Sequence, residues 1–478
     1  MVIQVFRKLR RKLDSFARQF DDCIKTRPSR EHMRTYLNGQ LGPLEGKSVE
    51  PIALDAGVAP RTLQEFLSLH RWDEQGVASR LRQLVARDHA DPEFIRIGLI
   101  DETSFAKKGV MTAGVQRQYC GSTGKIDNCV VSVHLGYVNG DFHSLIDGDL
   151  FLPEESWSQD RDRCRAANIP DDVVYRPKWQ IALELLKRSR NDGVELDWIT
   201  ADEFYGRSKE FRNAVSDMGI NYVVEIPSNL SGWTRMPRIQ APGAILPSGR
   251  RSLKTRLAAG EKPARAVSEL WERGGPSWQT YQIKKTQKGP EIWHIRETRF
   301  YPNNDGVPGR EGRLIIARPA LGGDVKYFFS DAGSEVPLKR LLYVAFSRWH
   351  IERLFQDAKG QVGFDHFEVR SYVSLIRHLV LTTLSLYFLC EQTARLRGEK
   401  SVVDPLSGED GGRGAARPGG RAEGTQATSR EGRRQDRIPA TAKREGGVLP
   451  RQTEAAPTAQ RRNRSTENAA MSIKNIAL

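Results

Sequence analysis

The sequence predicts an α/β protein in which a mixed β-sheet with flanking helices follows a helical N-terminal region. Three observations support this fold class. Apolar residues recur at helical spacing over residues 2–89. From residue 94 to residue 227, three strand-like segments are followed by helix, strand, helix and strand, which favours a mixed sheet with helical crossovers between its later strands. A second group of strand-like segments then precedes a helical stretch at 338–359.

Composition narrows the class of protein further. With 478 residues the chain is long enough for two or three domains. The net charge of +15 and the pI near 9.6 favour an acidic partner, nucleic acid before membrane. Five scattered cysteines without a CxxC pair argue against a disulfide framework or a zinc site. The basic N-terminus lacks the apolar core of a signal peptide, and the apolar run 379–390 is too short to span a bilayer. A cytoplasmic protein without a membrane partner is therefore expected.

The N-terminal region, residues 1–90, is predicted to be a helical DNA-binding domain. Gly57 permits a tight turn between two short helices, and this is helix–turn–helix spacing. The second helix presents Arg61, Thr62 and Gln64 outward, where they can read a DNA groove. The alternative is an ordinary helical hairpin, which is common in proteins that never touch DNA.

The next segments predict the sheet. The strands are expected at Phe94–Asp101, Cys129–Gly140, Asp141–Leu152, Glu195–Asp202 and Ile220–Pro227, with a hairpin turn at Asn139-Gly140. Residues 91–227 and 336–397 are predicted to form one α/β domain, interrupted by a β-rich insertion at 228–335. Residues 398–478 are rich in Gly, Arg, Ala, Glu and Gln with almost no aromatic residues, so a disordered tail is expected.

Three carboxylates are the candidates for chemistry. Asp101 and Asp202 each end a predicted buried strand, and such ends face ligand crevices in open α/β sheets. If the two strands are neighbours, the carboxylates lie side by side, and Glu352 on a later helix can supply a third. Such a group repels itself unless divalent cations neutralise it, and oxygen ligands suit Mg²⁺ or Mn²⁺. The alternative for each aspartate alone is a helix cap or a turn residue.

One helix is predicted over residues 338–359, and it carries Glu352 together with two cations. At about 100° per residue, Arg348, Glu352 and Lys359 fall within about 40° of one another. The alternative is an amphipathic core helix with an i,i+4 Arg–Glu surface pair. Glu102 follows Asp101 directly, but alternation along a strand predicts that its side chain points to the opposite side.

Three motifs carry a family resemblance. LIDETSFAKKG (residues 99–109), TADEFYG (200–206) and RWHIERLFQDAK (348–359) resemble the motifs of RNase-H-like DDE transposases of bacterial insertion sequences. The third motif is similar to the Tyr-x2-Arg-x3-Glu-x6-Lys signature of a branch with a β-rich insertion. Ala345 stands at the tyrosine position, which leaves the aromatic contact of that signature in doubt.

The resemblance implies an RNase-H-like fold and a site. Asp101, Asp202 and Glu352 would be catalytic and bind two Mg²⁺ or Mn²⁺ ions, which can activate a water or a 3′-hydroxyl in phosphodiester cleavage. Arg348 and Lys359 would hold DNA phosphates. It also implies that tryptophans of the insertion stack on a flipped base, although a buried position in a sheet is the alternative. The tryptophans in question are Trp271, Trp278 and Trp293.

The function expected from these features is metal-dependent DNA cleavage and strand transfer at the ends of an insertion sequence. The expected partners are double-stranded DNA, as terminal repeats and as target, and a second copy of the chain in the DNA complex. Two alternatives stay open. One is a sequence-specific DNA-binding regulator on an inactive RNase-H-like scaffold, and the other is an RNase-H-like nuclease without strand transfer.

Overall fold

The computed structural model describes residues 2–245, 251–270, 277–286 and 289–398. Trp271 and the predicted disordered tail beyond residue 398 lie outside the described residues. Within them the chain forms a mixed α/β structure with one large sheet and helices on both of its faces, so the predicted fold class is confirmed.

The N-terminal region is helical, as the sequence predicts. Its helices are α1 (Val2–Arg18), α2 (Arg27–Leu41), α3 (Val49–Asp55), α4 (Pro60–Ser68) and α5 (Glu74–Asp88). Two of them begin at side-chain caps, since Thr26 accepts a hydrogen bond from the amide of Ser29 and Asp73 from that of Gly76. Gly57, between α3 and α4, has a φ of +70°, a left-handed conformation that glycine adopts at little cost.

The central sheet follows, with the predicted strands and helices in their predicted order. The strands are β1 (Ile97–Ala106), β2 (Gln116–Cys120), β3 (Lys125–Asn139), β4 (Phe142–Leu150), β5 (Trp198–Ala201) and β6 (Asn221–Glu225). The helices among them are α6 (Arg161–Ala166), α7 (Lys178–Asn191), α8 (Glu203–Gly206) and α9 (Lys209–Asp217). Three of these elements, β2, α6 and α8, were not predicted. β1 pairs antiparallel with β3 and parallel with β5, and β5 pairs parallel with β6. The predicted hairpin is confirmed, but its two turn residues are Gly140 and Asp141, one residue later than expected, because Asn139 pairs with Phe142.

The predicted insertion is rich in strands, and most of them join the central sheet, while two short strands, β8 and β9 below, pair in a separate two-stranded sheet. Its elements are β7 (Ser231–Trp233), β8 (Ile239–Gln240), β9 (Arg256–Leu257), β10 (Arg265–Ala266), α10 (Val267–Leu270), β11 (Gln279–Thr286), β12 (Gly289–Asn304), β13 (Val307–Pro308), β14 (Gly312–Pro319) and β15 (Lys326–Ser330). β15 pairs antiparallel with β6, with Phe329 opposite Val224, and β14 and β12 follow outward. The insertion therefore widens the central sheet.

The prediction of one helix over residues 338–359 is wrong, because the structure has two helices there. These are α11 (Leu338–Ser347) and α12 (Trp349–Val362), and the last helix is α13 (Tyr372–Gly398). Arg348 lies between α11 and α12 with helical angles of −55° and −32°. The hydroxyl of Ser347 donates to the carbonyl oxygen of Tyr343 at 2.7 Å, and such a bond back to the preceding turn bends helices.

The N-terminal helices share a hydrophobic core with α13 and with one face of the sheet. The ring of Phe16 in α1 lies 5.7 Å from that of Tyr387 and 5.5 Å from that of Phe388. At the other end of α13, Arg377 pairs with Glu74 of α5 at 3.2 Å. A boundary at residue 90 thus cuts through a common core, and the domain limits stay predictions.

One helix in the described part of the chain, Tyr372–Arg395, is long and apolar enough to cross a membrane. It extends beyond the apolar run on which the sequence expectation rested. In the structure, 78% of its apolar window is buried inside the protein, and buried core helices have the same composition.

Because α1 and α13 share their core, we predict that residues 2–88 unfold together with the sheet. Phe16→Ala should lower the free energy of unfolding by about 3–5 kcal/mol, since the cavity lies between two helices that cannot close it independently. Differential scanning calorimetry should show one transition, moved to lower temperature. Ser15→Ala, at an exposed position of the same helix, is the control. Two separate transitions, with only one of them shifted, would contradict a common core.

Candidate active site

Asp101 and Asp202 lie where two parallel strands part. The pairing of β1 with β5 ends at Ile100 opposite Ala201, so the next residue of each strand is an aspartate. The sequence suggested that Asp101 ends its strand. In the structure β1 continues to Ala106 beside β3, so Asp101 lies within the strand. Asp202 directly follows the last residue of β5, and its carboxylate also caps α8. The two aspartates are therefore neighbours, and the capping role expected as an alternative for Asp202 is present as well.

The electrostatic environment of both carboxylates is unfavourable for charge. Burial, followed by the negative charge of Asp202, raises the pKa of Asp101 from 3.8 to about 7. Burial and the negative charge of Glu102 raise the pKa of Asp202 from 3.8 to about 6. The guanidinium of Arg348 opposes both shifts without cancelling them. The carboxylates of Asp101 and Asp202 therefore have too little positive charge around them to offset their burial and mutual repulsion.

Arg348 links Asp101 to Glu352. Its Nη1 lies 3.2 Å from Oδ2 of Asp101, and its Nη2 lies 2.5 Å from Oε1 of Glu352. The side chain of Glu352 is 59% exposed. No group of three His, Cys, Asp or Glu side chains among the described residues converges closely enough to hold a metal ion. The structure therefore brings Asp101 and Asp202 together, while a guanidinium joins Glu352 to Asp101.

Lys359 lies further along β1. Its ammonium donates to the carbonyl oxygen of Ser104 at 3.1 Å and lies 5.6 Å from the ring centre of Phe105. Burial lowers the pKa of this lysine. Lys359 therefore contacts the part of β1 that follows Asp101, and its hydrogen bond is to the backbone of that strand.

The predicted DNA-reading residues lie on the outer side of α4, whose inner side carries Leu63, Phe66 and Leu67 into the core. Arg61 is 77% exposed and pairs with Glu65 at 2.7 Å, Gln64 is exposed, and Thr62 is half-buried. This surface is separate in sequence and in element from the carboxylates.

The insertion tryptophans within the described residues are engaged in the fold. Trp293 is buried, with its ring 5.0 Å from that of Phe346. Trp278 lies between two guanidinium groups, 4.7 Å from that of Arg296 and 4.9 Å from that of Arg318. The buried-sheet alternative describes Trp293 correctly.

Sequence reasoning missed Lys178 and Tyr205. Alternation along β1 directs Glu102 to the side opposite Asp101. There the carboxylate of Glu102 accepts hydrogen bonds from Lys178 Nζ at 2.7 Å and from the hydroxyl of Tyr205 at 2.8 Å. Tyr205 could have been found from the sequence. It stands three residues after Asp202 in TADEFYG, and a residue in the first turn of a helix lies close to the residue that caps that helix. Lys178, at the start of α7, gave none, since its contact joins residues 76 positions apart.

These residues fit a divalent cation by their donor chemistry. Two neighbouring half-buried carboxylates whose pKa values are both raised need positive charge to ionise, and their oxygens are ligands that Mg²⁺ and Mn²⁺ prefer. Glu352 is within reach of the same guanidinium and can supply a third carboxylate.

Comparisons with known proteins agree on one family. A family model described as "DDE superfamily endonuclease" matches residues 19–290, which is more than half of the chain and ends before Glu352. A probable transposase for insertion sequence element IS701 from Microchaete diplosiphon is 32% identical over 197 residues. This match covers 41% of the chain and 48% of the relative, so the chain spans about half the length of the curated relative.

One solved structure with a weak likeness is the piggyBac transposase synaptic complex with hairpin DNA, determined by cryo-electron microscopy. The TM-score is 0.40 at 9% identity, over 80% of this chain and 69% of that one. A likeness of this strength supports no conclusion about function.

The raised pKa of Asp101 predicts how stability depends on pH in the metal-free protein. Because this pKa is higher in the folded than in the unfolded state, protonation favours folding. The stability that protonated Asp101 contributes is complete below about pH 4 and is lost as the pH rises through about 7. Asp101→Asn should therefore be more stable than the wild type at pH 8, by about 2–4 kcal/mol, and nearly equal to it at pH 4.5. Thermal unfolding in the presence of a chelator measures this difference.

Asp162→Asn, which removes a carboxylate that is 92% exposed, is the control and should show no such trend. A wild type that is more stable than Asp101→Asn at pH 8 without metal would show that Arg348 compensates the charge of Asp101 fully.

Proposed function

Because the chain belongs to the DDE superfamily endonucleases, we propose that it is a transposase that cuts DNA at the ends of its own insertion sequence and joins them to a target. The observation that carries this proposal is the pair of half-buried carboxylates Asp101 and Asp202, which lie side by side where two parallel strands part and whose pKa values are both raised. Endonucleases of this family generally use divalent metal ions. We further propose that the protein acts in the cytoplasm, where such DNA is found.

Asp101, Asp202 and Glu352 are proposed as the residues that hold two Mg²⁺ or Mn²⁺ ions. When bound, these ions would supply Lewis-acid chemistry that activates a water or a 3′-hydroxyl and stabilises the leaving oxygen. The sheet fixes the backbone before both aspartates, since Ile100 and Ala201, the residues that precede Asp101 and Asp202, are paired with each other. Glu352 lies on the exposed side of α12, where its side chain can turn toward the aspartates without displacing core residues.

Arg348 has two roles in this proposal. In the arrangement seen here it is the counter-ion of Asp101 and Glu352. Once those carboxylates have other cationic partners, the guanidinium can donate to a DNA phosphate, which accepts two parallel hydrogen bonds as a carboxylate does. Lys359 would hold a second phosphate further along β1, next to its present contact at Ser104.

The outer side of α4 is proposed to bind the terminal repeats. Arg61, Thr62 and Gln64 have the reach and the hydrogen-bonding groups for the edges of bases in a major groove. A net charge of +15 favours association with double-stranded DNA. Two ends must be brought together for transposition, so we also propose a homodimer in the DNA complex.

The carboxylates give the direct test. Asp101→Asn, Asp202→Asn and Glu352→Gln should each reduce Mg²⁺-dependent cleavage of terminal-repeat DNA about 100-fold or more, because each removes a metal ligand. Binding of the same DNA, measured by fluorescence anisotropy, should stay near the wild-type level. Arg61→Ala with Gln64→Ala is the matched control and should show the reverse, weaker binding with intact cleavage at saturating DNA.

The outcomes separate the alternatives. Cleavage of wild-type rate in one carboxylate variant removes that residue from the triad. Binding without any cleavage by the wild-type protein would favour the regulator. Cleavage without joining of pre-cut ends to a plasmid target would favour the nuclease without strand transfer.

The proposed change of partner at Arg348 predicts a link between cation and DNA binding. Ca²⁺ binds carboxylates and should release the guanidinium for a phosphate. In the wild type, adding Ca²⁺ should steepen the dependence of log affinity on log salt by about 0.9, the value for one phosphate contact. Arg348→Gln should show no such steepening. Arg353→Gln, which removes a partly exposed i,i+4 pair with Asp357 on the same helix, is the control and should behave like the wild type.

A slope that Ca²⁺ steepens equally in the wild type and in Arg348→Gln would leave Arg348 as a structural counter-ion only.

A further inference from the structure

We propose that Glu102, Lys178 and Tyr205 form a positioning cluster that holds the carboxylate of Asp202 ready for metal binding. These three residues, called the rear cluster below, lie on the side of β1 opposite Asp101. The inference rests on the proposed function, and it assigns residues that support the metal site without binding the metal themselves.

Glu102 is fixed through both of its carboxylate oxygens. Oε1 accepts a hydrogen bond from Lys178 Nζ at 2.7 Å, and Oε2 accepts one from the hydroxyl of Tyr205 at 2.8 Å. The side chain of Glu102 is 23% exposed, and Tyr205 is completely buried. The three residues come from β1, α7 and α8, so the cluster ties three elements together behind the site.

Tyr205 connects this cluster to Asp202 directly. Oδ1 of Asp202 accepts hydrogen bonds from the backbone amides of Phe204 at 3.0 Å and Tyr205 at 3.4 Å. Tyr205 therefore holds Glu102 with its hydroxyl and Asp202 with its amide. Fixing the ring of Tyr205 fixes the first turn of α8, and with it one oxygen of Asp202. Oδ2 accepts no hydrogen bond from the described residues, which leaves it for an ion.

Charge gives a second connection. After burial, the negative charge of Glu102 has the largest effect on Asp202 and raises the pKa of that carboxylate. Its field makes the site more attractive to a divalent cation. Lys178 balances Glu102 from the far side, and its ammonium lies 5.1 Å from the ring centre of Phe204 and 5.6 Å from that of Phe151. The lysine is thereby held in place beside two aromatic rings.

A purely structural account of the cluster is weaker. The desolvation of a partly buried ion pair offsets most of its attraction, and apolar residues of the same volume would be equally stable there. Partners that orient a metal ligand, by contrast, commonly contribute 10–100-fold to metal affinity. The cluster also differs from other ion pairs of the chain because it touches Asp202 through Tyr205.

Two substitutions change the cluster without changing its volume. Glu102→Gln can still accept a hydrogen bond from Tyr205, but it leaves the ammonium of Lys178 uncompensated near the metal site. Tyr205→Phe removes only the hydroxyl. Each should raise the dissociation constant for Mn²⁺ at least about 10-fold. Since both act through one cluster, the double variant should lose much less than the product of the two single effects.

The measurement is Mn²⁺ binding to the full-length protein, followed by the electron paramagnetic resonance signal of free Mn²⁺. A rescue variant sharpens it. Glu102→Gln combined with Lys178→Met removes the uncompensated ammonium, so it should recover part of the affinity that Glu102→Gln loses. A cluster that served only the fold would gain no metal affinity from this second change.

Glu74→Gln is the matched control. Glu74 lies on α5, a helix that carries no residue of the proposed site. Its side chain is 24% exposed and pairs with the buried Arg377 of α13 at 3.2 Å. It should lower the unfolding temperature while leaving Mn²⁺ binding unchanged. If Glu102→Gln behaves in the same way, with a dissociation constant close to the wild-type value, the rear cluster is structural and the inference is wrong.

The carboxylate variants separate this failure from that of the proposed function. If Asp101→Asn and Asp202→Asn abolish Mn²⁺ binding and Glu102→Gln does not weaken it, only the positioning role fails. If neither aspartate variant weakens Mn²⁺ binding, the proposed metal site fails as well.

Discussion

The repulsion between Asp101 and Asp202 is the constraint on which the rest of the site depends. The parallel pairing of β1 with β5 places both carboxylates at the point where the strands part, and burial keeps water from screening them. The surrounding groups respond to this charge. Arg348 approaches Asp101 from the end of α11, and the first turn of α8 offers its amides to Asp202. The fold thus keeps an arrangement that weakens its own stability, as functional sites commonly do.

The same sheet also determines how the proposed DNA-binding surface on α4 and the carboxylates are related. Arg82 of α5 is buried and pairs with Asp147 of β4 at 3.0 Å and with Asp192, just after α7, at 2.6 Å. Removing one partner of such a group would leave a buried charge uncompensated, which is strongly destabilising. The N-terminal helices are therefore held to the sheet by ion pairs as well as by the apolar core. DNA bound on α4 would have a defined position relative to Asp101.

Local sequence patterns revealed the strands and the hairpin but not the contacts between distant elements. The runs FIRIGLID and ELDWITAD could be recognised because short buried strands are almost wholly apolar, and Asn139-Gly140 marked its turn by the backbone that glycine permits. The continuation of β1 to Ala106 escaped notice, because its residues from Asp101 to Ser104 are polar. The interruption between α11 and α12 at Arg348 does not show in the apolar periodicity. The partners of Lys178 and Lys359 come from residues far away in the chain, which periodicity does not report either.

The position of Glu352 follows from the same electrostatics. A third carboxylate brought against Asp101 and Asp202 without added positive charge would raise the cost of a pair that is already charge-deficient. A side chain on the exposed side of α12 avoids that cost, and the guanidinium of Arg348, between Glu352 and Asp101, lowers it further. In the proposed site, a third carboxylate on the exposed side of a helix can approach the aspartates once positive charge is present. The two aspartates have less freedom, since the pairing of β1 with β3 holds the backbone of Asp101 and the junction of β5 with α8 holds that of Asp202.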